Sequence, residues 1–160
     1  MNVLAPDGEP ITPEGLVALE AELTELETTG RRAIAARILA ARELGDLSEN
    51  AEYHIAKEDQ AHLETKIQRL RQRQRDAQIV EPDDAAPVFG FGRTAEVLDD
   101  ASGQLYTWTI VGSTEANLAQ GKLSAQSPVG KALLGHAAGE AVSVQTPRGR
   151  RSYRVKRLID

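Results

Sequence analysis

Residues 45–53 read Gly-Asp-Leu-Ser-Glu-Asn-Ala-Glu-Tyr and lie between two long segments of helical periodicity. A connection of only a few residues forces two consecutive helices to lie antiparallel as neighbours. The stretch therefore predicts the bend of a helical hairpin and places two carboxylates, Asp46 and Glu49, at its tip. Carboxylates at the end of a long rigid rod can be delivered into a space that the rest of a protein cannot enter.

Three cues predict where the first helix begins. Thr12 offers a capping hydroxyl, Pro13 suits the first helical position, and Glu14 places an acid in the first turn. The apolar residues that follow have the spacing of an a/d seam: Leu16, Leu19, Leu23, Leu26, Ile34, Ile38, Ala41 and Leu44. Gly30 costs roughly 1 kcal/mol relative to alanine inside a helix. Because the seam also passes through four-residue steps there, a bend or an altered supercoil is expected near Gly30.

The second helix carries a matching seam, with strict alternation of four-residue and three-residue steps. Its members are Ala56, Gln60, Leu63, Ile67, Leu70, Gln74 and Ala77. Two seams joined by a short bend predict an intramolecular antiparallel coiled coil. About 30 residues at ~1.5 Å each give a rod on the order of 45 Å long.

Residues 81–87 contain two prolines and three acids without periodicity and predict a linker. The pattern beyond them changes to short alternating runs typical of antiparallel strands, at residues 93–98, 105–111, 141–145 and 152–158. A short helix is predicted between Ser127 as its cap and Gly135 as its terminator. The sequence thus predicts an α+β protein, with a coiled-coil hairpin at 1–80, a linker at 81–87 and a small sheet domain at 88–160.

The composition is typical of a globular protein without disulfides. Apolar residues make up 41% of the chain and charged residues 27%, and cysteine is absent. No apolar run approaches the ~18 residues of a membrane-spanning helix, and residues 1–11 lack the regions of a signal peptide. We therefore expect a cytoplasmic protein without a membrane partner. Aromatic residues make up only 4%, which predicts a small and aliphatic core.

Charge is distributed unevenly along the chain. Residues 1–80 hold 10 Lys and Arg against 15 Asp and Glu, whereas residues 81–160 hold 9 of each kind. The net charge of −5 disfavours non-specific binding of duplex nucleic acid. A basic stretch near the C-terminus fits a solvated strand face, with contact to nucleic acid or to an acidic protein surface as the alternative. Its members are Arg148, Arg150, Arg151, Arg154, Lys156 and Arg157.

Three other patterns resemble ligand-binding motifs, but the surrounding sequence argues against a binding site at each of them. The Gly-x-Gly pattern at 90–92 precedes a predicted strand, whereas a dinucleotide site requires a helix there. Gly130 and Lys131 do not form a phosphate-binding loop, because position 125 is alanine instead of glycine. The three histidines lack the spacing of a paired metal signature: His54, His62 and His136.

The two tip acids allow two interpretations. Asp46 and Glu49 have the spacing of a capping box, in which Asp46 would be the N-cap of the second helix. Ser48 and Asn50 offer alternative caps, so the acids are not all needed for that purpose. The residues alone leave a cap and a functional site both open.

The tip at 45–54, the surrounding hairpin and the segment Ser-Pro-Val-Gly-Lys-Ala-Leu-Leu-Gly at 127–135 resemble the bacterial transcript cleavage factors GreA and GreB. The resemblance spans about residues 12–160 and favours the GreA-like branch. It implies that the coiled coil inserts into the secondary channel of RNA polymerase, and that a C-terminal domain similar to FK506-binding proteins docks at the rim. It also implies a monomer that stimulates cleavage of backtracked nascent RNA by polymerase and is not itself an enzyme.

The same resemblance assigns roles to single residues. It implies that Asp46 and Glu49 help to hold a Mg²⁺ shared with the polymerase active centre, and that no cofactor is bound by the factor alone. Two exposed carboxylates would bind this hard cation weakly, which agrees with a site completed by another protein. Ser48 and Asn50 match supporting positions that orient water or RNA phosphates. Contacts to polymerase or RNA are implied for a further set: Tyr53, Lys57, Pro128, Leu133 and Leu134. The alternatives are packing at the tip of the coil for Tyr53 and a role only in the core for Leu133 and Leu134.

Two other functions compete with this interpretation. A channel-binding regulator of the same fold could inhibit transcription without stimulating cleavage, and altered tip acids would favour it. The tip motif is complete in this sequence. A peptidyl-prolyl isomerase or chaperone built on the second domain would need an aromatic-lined pocket, for which that domain offers few residues.

Overall fold

The protein, described here by a computed structural model over residues 8–159, divides into two compact units. The helical unit spans Leu16–Ala77, and the sheet unit contains residues 8–15 and 78–159. The predicted α+β fold class is confirmed. The predicted boundaries at 1–80, 81–87 and 88–160 differ from this division, because residues 8–15 belong with the sheet unit. Residues 1–7 of the segment tested for a signal peptide lie outside the described residues.

Glu115 explains why residues 8–15 belong with the sheet unit. Its carboxylate accepts hydrogen bonds from the backbone N–H of Thr12 at 3.0 Å, from the Thr12 hydroxyl, and from the N–H of Gly112 at 2.9 Å. Thr12 is buried, and its hydroxyl oxygen accepts from the N–H of Gly15 at 3.0 Å. Thr12 therefore caps the first helix as predicted, and it also joins that helix start to the sheet unit.

Four α-helices and one π-helical turn lie among the described residues: α1 (Pro13–Glu25), a π turn (Leu26–Gly30), α2 (Arg31–Arg42), α3 (Ala51–Asp76) and α4 (Pro128–Leu133). The π turn lies where the sequence predicted an irregularity. One heptad after Leu26 is Ala33, which is exposed, whereas the partly buried residue is Ile34, one position later. A π turn accommodates one extra residue, so it returns the seam to the same face of the helix.

The seam is confirmed over most of both helices, but Gln74, which was predicted as a member, is exposed near the end of α3. Its buried members are Leu19, Leu23, Ile38, Ala41, Ala56, Ile67 and Leu70. The prediction was wrong for Leu44, which is 67% exposed because α2 ends at Arg42 and the chain turns away before reaching it. No helix among residues 8–159 is long and apolar enough to cross a membrane.

Ion pairs between the helices fix the antiparallel register. Arg31 forms two hydrogen bonds to Glu64, at 2.9 and 3.0 Å, and the Arg31 guanidinium lowers the pKa of that carboxyl. Further pairs connect the helices on both sides of this one: Arg37–Asp59 at 2.9 Å, Lys66–Glu22 at 3.2 Å and Arg71–Glu27 at 2.8 Å. These side chains are partly exposed, so solvent screening keeps the contribution of each pair to stability small. Their main effect is to select one pairing of the helices.

Within residues 8–159, seven strands form two sheets. They are β1 (Glu9–Ile11), β2 (Ala77–Ile79), β3 (Thr94–Asp99), β4 (Leu105–Val111), β5 (Lys122–Ser124), β6 (Ala141–Thr146) and β7 (Gly149–Ile159). β1 pairs with β2, and the larger sheet has the order β5-β4-β3-β7-β6. Pairing in the larger sheet is antiparallel except between β4 and β5, which are parallel. The four predicted strands are confirmed, and the three strands of three residues were missed.

The core of the sheet unit lies between the larger sheet and α4. Its buried side chains are Phe89, Ala95, Val97, Trp108, Ile110, Leu123, Leu133, Val144, Tyr153 and Val155. Seven of these ten side chains are aliphatic, as expected, but the other three are aromatic. Their burial also removes them from any open aromatic pocket, which weakens the isomerase interpretation.

Helix α4 begins and ends as predicted. The Ser127 hydroxyl accepts from the N–H of Gly130 at 3.1 Å, Pro128 occupies the first turn, and Gly135 follows the helix with a φ of +85°. Gly130 is buried, and a Cβ atom at this position would overlap the backbone carbonyl oxygen of Ser124. The helix can therefore approach β5 only because residue 130 is glycine.

We predict that Gly130→Ala lowers the free energy of unfolding by about 1–3 kcal/mol, because the Cβ forces backbone apart in a packed region. The change is measured by unfolding the full chain in urea and monitoring the fluorescence of Trp108, which lies in the sheet unit. Gly90→Ala is the matched control, since a Cβ there meets nothing within 4 Å. Equal midpoints for Gly130→Ala and the parent would contradict the packing argument.

Asp99 is a buried acid at the end of β3, with a side chain only 1% exposed. Burial opposes its ionisation, but N–H groups of Ala101 and Ser102 and the Arg151 guanidinium together lower the pKa of Asp99 below its ordinary value of 3.8. The carboxylate is therefore ionised at neutral pH, and it holds the turn after β3 to β7.

The lowered pKa of Asp99 predicts the pH dependence of stability. A group whose pKa is lower in the folded state stabilises fully above its unfolded pKa, and this contribution is lost as pH falls through the folded value. We expect the parent to lose stability below about pH 4. The Asp99→Asn variant should be less stable than the parent at pH 7, and its stability should fall less than that of the parent on acidification. Urea unfolding midpoints at pH 7 and pH 3 measure this difference, with Asp100→Asn as the neighbouring control. Equal losses of stability in the parent and in Asp99→Asn would contradict the prediction.

Candidate functional site at the hairpin tip

The tip is an irregular segment, residues 43–50, between α2 and α3. It starts with a turn in which the N–H of Leu44 donates to the Ala41 carbonyl at 3.2 Å, and that of Gly45 donates to the Arg42 carbonyl at 3.4 Å. Gly45 has a φ of +118°, a conformation that side-chain-bearing residues rarely adopt. The glycine thus directs the chain out of α2 and exposes the residues that follow.

Asp46 forms a local turn and does not cap α3. One of its carboxylate oxygens, Oδ1, accepts from the Ser48 N–H at 3.0 Å and from the Ser48 hydroxyl at 2.8 Å. These hydrogen bonds, the backbone one first, lower the pKa of Asp46. The capping-box interpretation is therefore wrong. The exposed Asp46 carboxylate is ionised at neutral pH, and its second oxygen accepts no hydrogen bond within residues 8–159.

Asn50 is the N-cap of α3. Its Oδ1 atom accepts from the N–H of Tyr53 at 3.1 Å, and its Nδ2 atom donates to the carbonyl oxygen of Ala41 at 2.6 Å. The two ends of one amide thus join the start of α3 to the end of α2. Asn50 supports the tip in this way, and its implied role in orienting water or RNA phosphates remains a prediction.

Glu49 differs from Asp46 in having no local partner. Its side chain is exposed and makes no hydrogen bond or ion pair with another residue in the range 8–159. An unpaired carboxylate at the end of a rod is free to bind a ligand supplied from outside. No contact within residues 8–159 therefore explains why a glutamate stands at position 49.

The donor chemistry of the tip suits Mg²⁺, because this cation prefers carboxylate oxygens and retains several waters. The tip alone supplies too few ligands. The described residues contain no group of three or more His, Cys, Asp and Glu side chains placed to hold a metal ion. Asp46 and Glu49 are thus two carboxylates of the kind that Mg²⁺ prefers, and residues 8–159 place no full set of such ligands around them.

Tyr53 and Lys57 follow the tip on α3. The Tyr53 ring is partly buried, with the Arg42 guanidinium carbon 5.9 Å from its centre and the His54 ring edge-on at 5.6 Å. These contacts support the interpretation that Tyr53 packs at the tip of the coiled coil. Lys57 is exposed, and its ammonium group donates to Gln60 at 2.9 Å, so it remains available to a partner.

The remaining predicted contact residues lie in the sheet unit. Pro128 starts α4, and Leu134 follows α4 with 42% of its surface exposed. Leu133 is fully buried in the core, so its assignment as a contact residue is corrected: its side chain packs inside the domain. Of the two leucines, only Leu134 is available to a partner.

The basic stretch near the C-terminus is largely paired within the sheet. Arg151 binds Asp99 at 3.0 Å, Arg157 binds Glu96 at 3.0 Å, and Arg154 lies 3.9 Å from Asp100. Three of its six cations thus neutralise acids of β3 and the following turn. This favours the solvated strand face over a surface for nucleic acid.

His54 is a tip residue that the sequence interpretation missed. Its Nε2 atom lies 3.3 Å from the Ser48 carbonyl oxygen, so it contacts the same serine that holds Asp46. The metal test applied to the three histidines could not reveal this contact. The sequence does contain one indication of this contact. His54 stands four residues after the cap Asn50, on the first turn of α3 and therefore beside the tip.

Comparison with known families divides the chain near the end of α3, as the structure does, but it groups residues 9–15 with the helical hairpin. A model of the GreA/GreB transcription elongation factor N-terminal domain matches residues 9–79. A model of the GreA/GreB transcription elongation factor C-terminal domain matches residues 84–159.

Individual relatives match over most of their length. Transcription elongation factor GreA of Ruegeria pomeroyi is 42% identical over 146 residues, covering 91% of this chain and 94% of the relative. Transcription elongation factor GreA of Bacillus subtilis is 42% identical over 149 residues, which cover 93% of this chain and 95% of the relative. Among solved structures, GreA factor homolog 1 (Gfh1) of Thermus thermophilus is 29% identical with a TM-score of 0.42, covering 96% and 99% of the two chains.

Proposed function

Because the chain belongs to the GreA/GreB family of transcription elongation factors, we propose that it stimulates RNA cleavage by bacterial RNA polymerase. The proposed substrate is backtracked nascent RNA in an arrested elongation complex. In this function the hairpin inserts through the secondary channel of the polymerase, and the sheet unit docks at the outer rim. A protein acting in this way is found where polymerase and nascent RNA are, in the bacterial cytoplasm, and works as a monomer.

The observation that carries the proposal is the state of the two tip acids. Within the described residues, one oxygen of the Asp46 carboxylate, whose pKa is lowered, accepts no hydrogen bond, and Glu49 has no partner. A structural cap would explain neither, because Asn50 already caps α3. Both acids are therefore exposed and available at the end of the rod.

The tip residues would act on a metal ion held mainly by polymerase. Asp46 and Glu49 would bind it, and a Mg²⁺ ion there supplies activation of the attacking water and neutralisation of charge on the phosphate. Ser48 restrains the Asp46 carboxylate by two hydrogen bonds, and Asn50 holds the tip against α2. The factor would contribute ligands and their orientation, whereas the catalytic centre belongs to polymerase.

The test is an RNA cleavage assay on halted, backtracked elongation complexes with the polymerase of the same host. Adding the protein should increase the rate of 3′-end cleavage and restore elongation of arrested complexes. Heat-denatured protein serves as the control for buffer and metal carry-over. If the protein instead slows elongation without releasing RNA fragments, it is a channel-binding inhibitor and the proposal fails.

A further inference from the structure

His54 contacts the tip from the first turn of α3. Its Nε2 atom lies 3.3 Å from the Ser48 carbonyl oxygen, and its ring packs against the edge of the Tyr53 ring with centroids 5.6 Å apart. A carbonyl oxygen can only accept a hydrogen bond, so the geometry assigns the proton to Nε2. The imidazole is thus a donor from a regular helix to the irregular tip.

Ser48 connects this donor to the Asp46 carboxylate. The N–H and the hydroxyl of Ser48 both donate to Asp46 Oδ1, at 3.0 and 2.8 Å, while its carbonyl accepts from His54. The contacts form a chain from the His54 ring through Ser48 to Asp46. Since Ser48 is held at both its N–H and its carbonyl, its backbone dihedrals are restrained from both sides.

The rest of the tip offers few other restraints. Residues 43–50 are outside regular structure and mostly exposed, and Asn50 anchors only the end of the segment next to α3. A ligand side chain must be held within about 0.5 Å of its working position to be effective. A donor on α3 that reaches the centre of the tip meets this requirement.

We propose that His54 is a positioning residue, which fixes the Asp46 carboxylate through the backbone of Ser48. The inference rests on the proposed function for its effect on RNA cleavage, but the hydrogen-bond chain is a property of the free protein. His54 reaches neither RNA nor metal in this role. It acts by removing alternative orientations of the turn formed by Asp46 and Ser48.

Two variants separate the donor from the ring. His54→Phe keeps a flat ring beside Tyr53 but removes the Nε2–H group. His54→Gln places an amide N–H near the former Nε2 position and should restore the hydrogen bond. His62→Phe is the matched control, because His62 lies two turns further along α3, where its imidazole pairs with Glu58 at 3.7 Å.

The first measurement is hydrogen exchange of the Ser48 amide by NMR in the free, metal-free protein. We expect exchange to be faster in His54→Phe by on the order of tenfold, because the Asp46–Ser48 turn opens more often. The rate should return towards the parental value in His54→Gln and stay unchanged in His62→Phe. A parental Ser48 rate in His54→Phe would overturn the proposal.

The second measurement is stimulated RNA cleavage as a function of factor concentration. His54→Phe should lower the maximal rate by on the order of tenfold, the effect of losing a residue that orients a ligand. The factor concentration giving half of the maximal rate should not change, because the polymerase-binding surfaces are intact. His54→Gln should restore most of the maximal rate.

These results distinguish failure of the inference from failure of the proposed function. If the parent does not stimulate cleavage, the proposed function fails, and the Ser48 exchange rates still decide whether His54 positions the tip. If His54→Phe loosens Ser48 but cleaves at the parental rate, the positioning role is overturned. A His54→Gln variant as impaired as His54→Phe would also overturn it, because the donor would then not be the relevant group.

Discussion

Replacing Asp46 with Asn and Glu49 with Gln together is expected to reduce stimulated RNA cleavage at least about 100-fold, beyond the effect of losing a residue that only orients a ligand. Both amides keep the size of the parent side chains but lose the charge that a hard cation requires. An amide oxygen at position 46 can still accept from Ser48, so the turn should persist. The measurement is the rate of 3′-end cleavage in halted elongation complexes at saturating factor.

The same double variant should fold and bind polymerase normally. Neither acid is buried or ion-paired within residues 8–159, and Asn50 remains as the cap of α3. The free energy of unfolding should therefore stay close to that of the parent. Thermal unfolding of the free protein and competition with labelled parent for polymerase measure the two properties.

A charge-matched control separates ligand loss from a general electrostatic effect. Glu20→Gln with Glu25→Gln removes the same charge from exposed positions on α1, far along the chain from the tip. This variant should stimulate cleavage as the parent does. If the tip double variant also did so, Asp46 and Glu49 would not be ligands, and the proposed mechanism would be wrong.

The start of each helix shows where sequence reasoning succeeds and where it fails. Thr12 and Pro13 are local signals, and they placed the start of α1 correctly. At the tip, three residues could each cap α3 by local chemistry. The choice depends on Ala41, nine residues earlier, because an asparagine amide can accept from α3 and donate to the Ala41 carbonyl at once. A pattern within one helix contains no information about that carbonyl.

Long-range contacts explain the other differences. Glu115 binds Thr12 from 103 residues away, and this contact takes residues 8–15 into the sheet unit. The strands β1, β2 and β5 have only three residues each, too few for an alternating pattern to appear. Leu133 and Leu134 are identical as sequence, and only the packing of α4 decides that the first is buried and the second exposed. The heptad pattern, in contrast, repeats many times and was read correctly over most of its length.

Asn50→Asp is expected to lower stimulated cleavage at least about tenfold, the scale of losing a group that orients ligands, while leaving α3 capped. Aspartate is as good an N-cap as asparagine, so the hydrogen bond from the Tyr53 N–H should remain. The variant loses the donor to the Ala41 carbonyl and places an anionic oxygen beside it, at the C-terminal end of α2, where negative charge is unfavourable. The tip should therefore separate from α2 although both helices persist.

Comparison with Asn50→Ala separates the two functions of this amide. Alanine removes the cap as well, at a cost of roughly 1 kcal/mol, so hydrogen exchange at the Tyr53 amide should be faster in Asn50→Ala and near parental in Asn50→Asp. Cleavage should fall in both variants, because both lose the bond to Ala41. Cleavage at the parental rate in Asn50→Asp would mean that the tip acids do not depend on this contact. In that case the cap alone would account for asparagine at position 50, and the orientation of Asp46 and Glu49 would have to be set by polymerase.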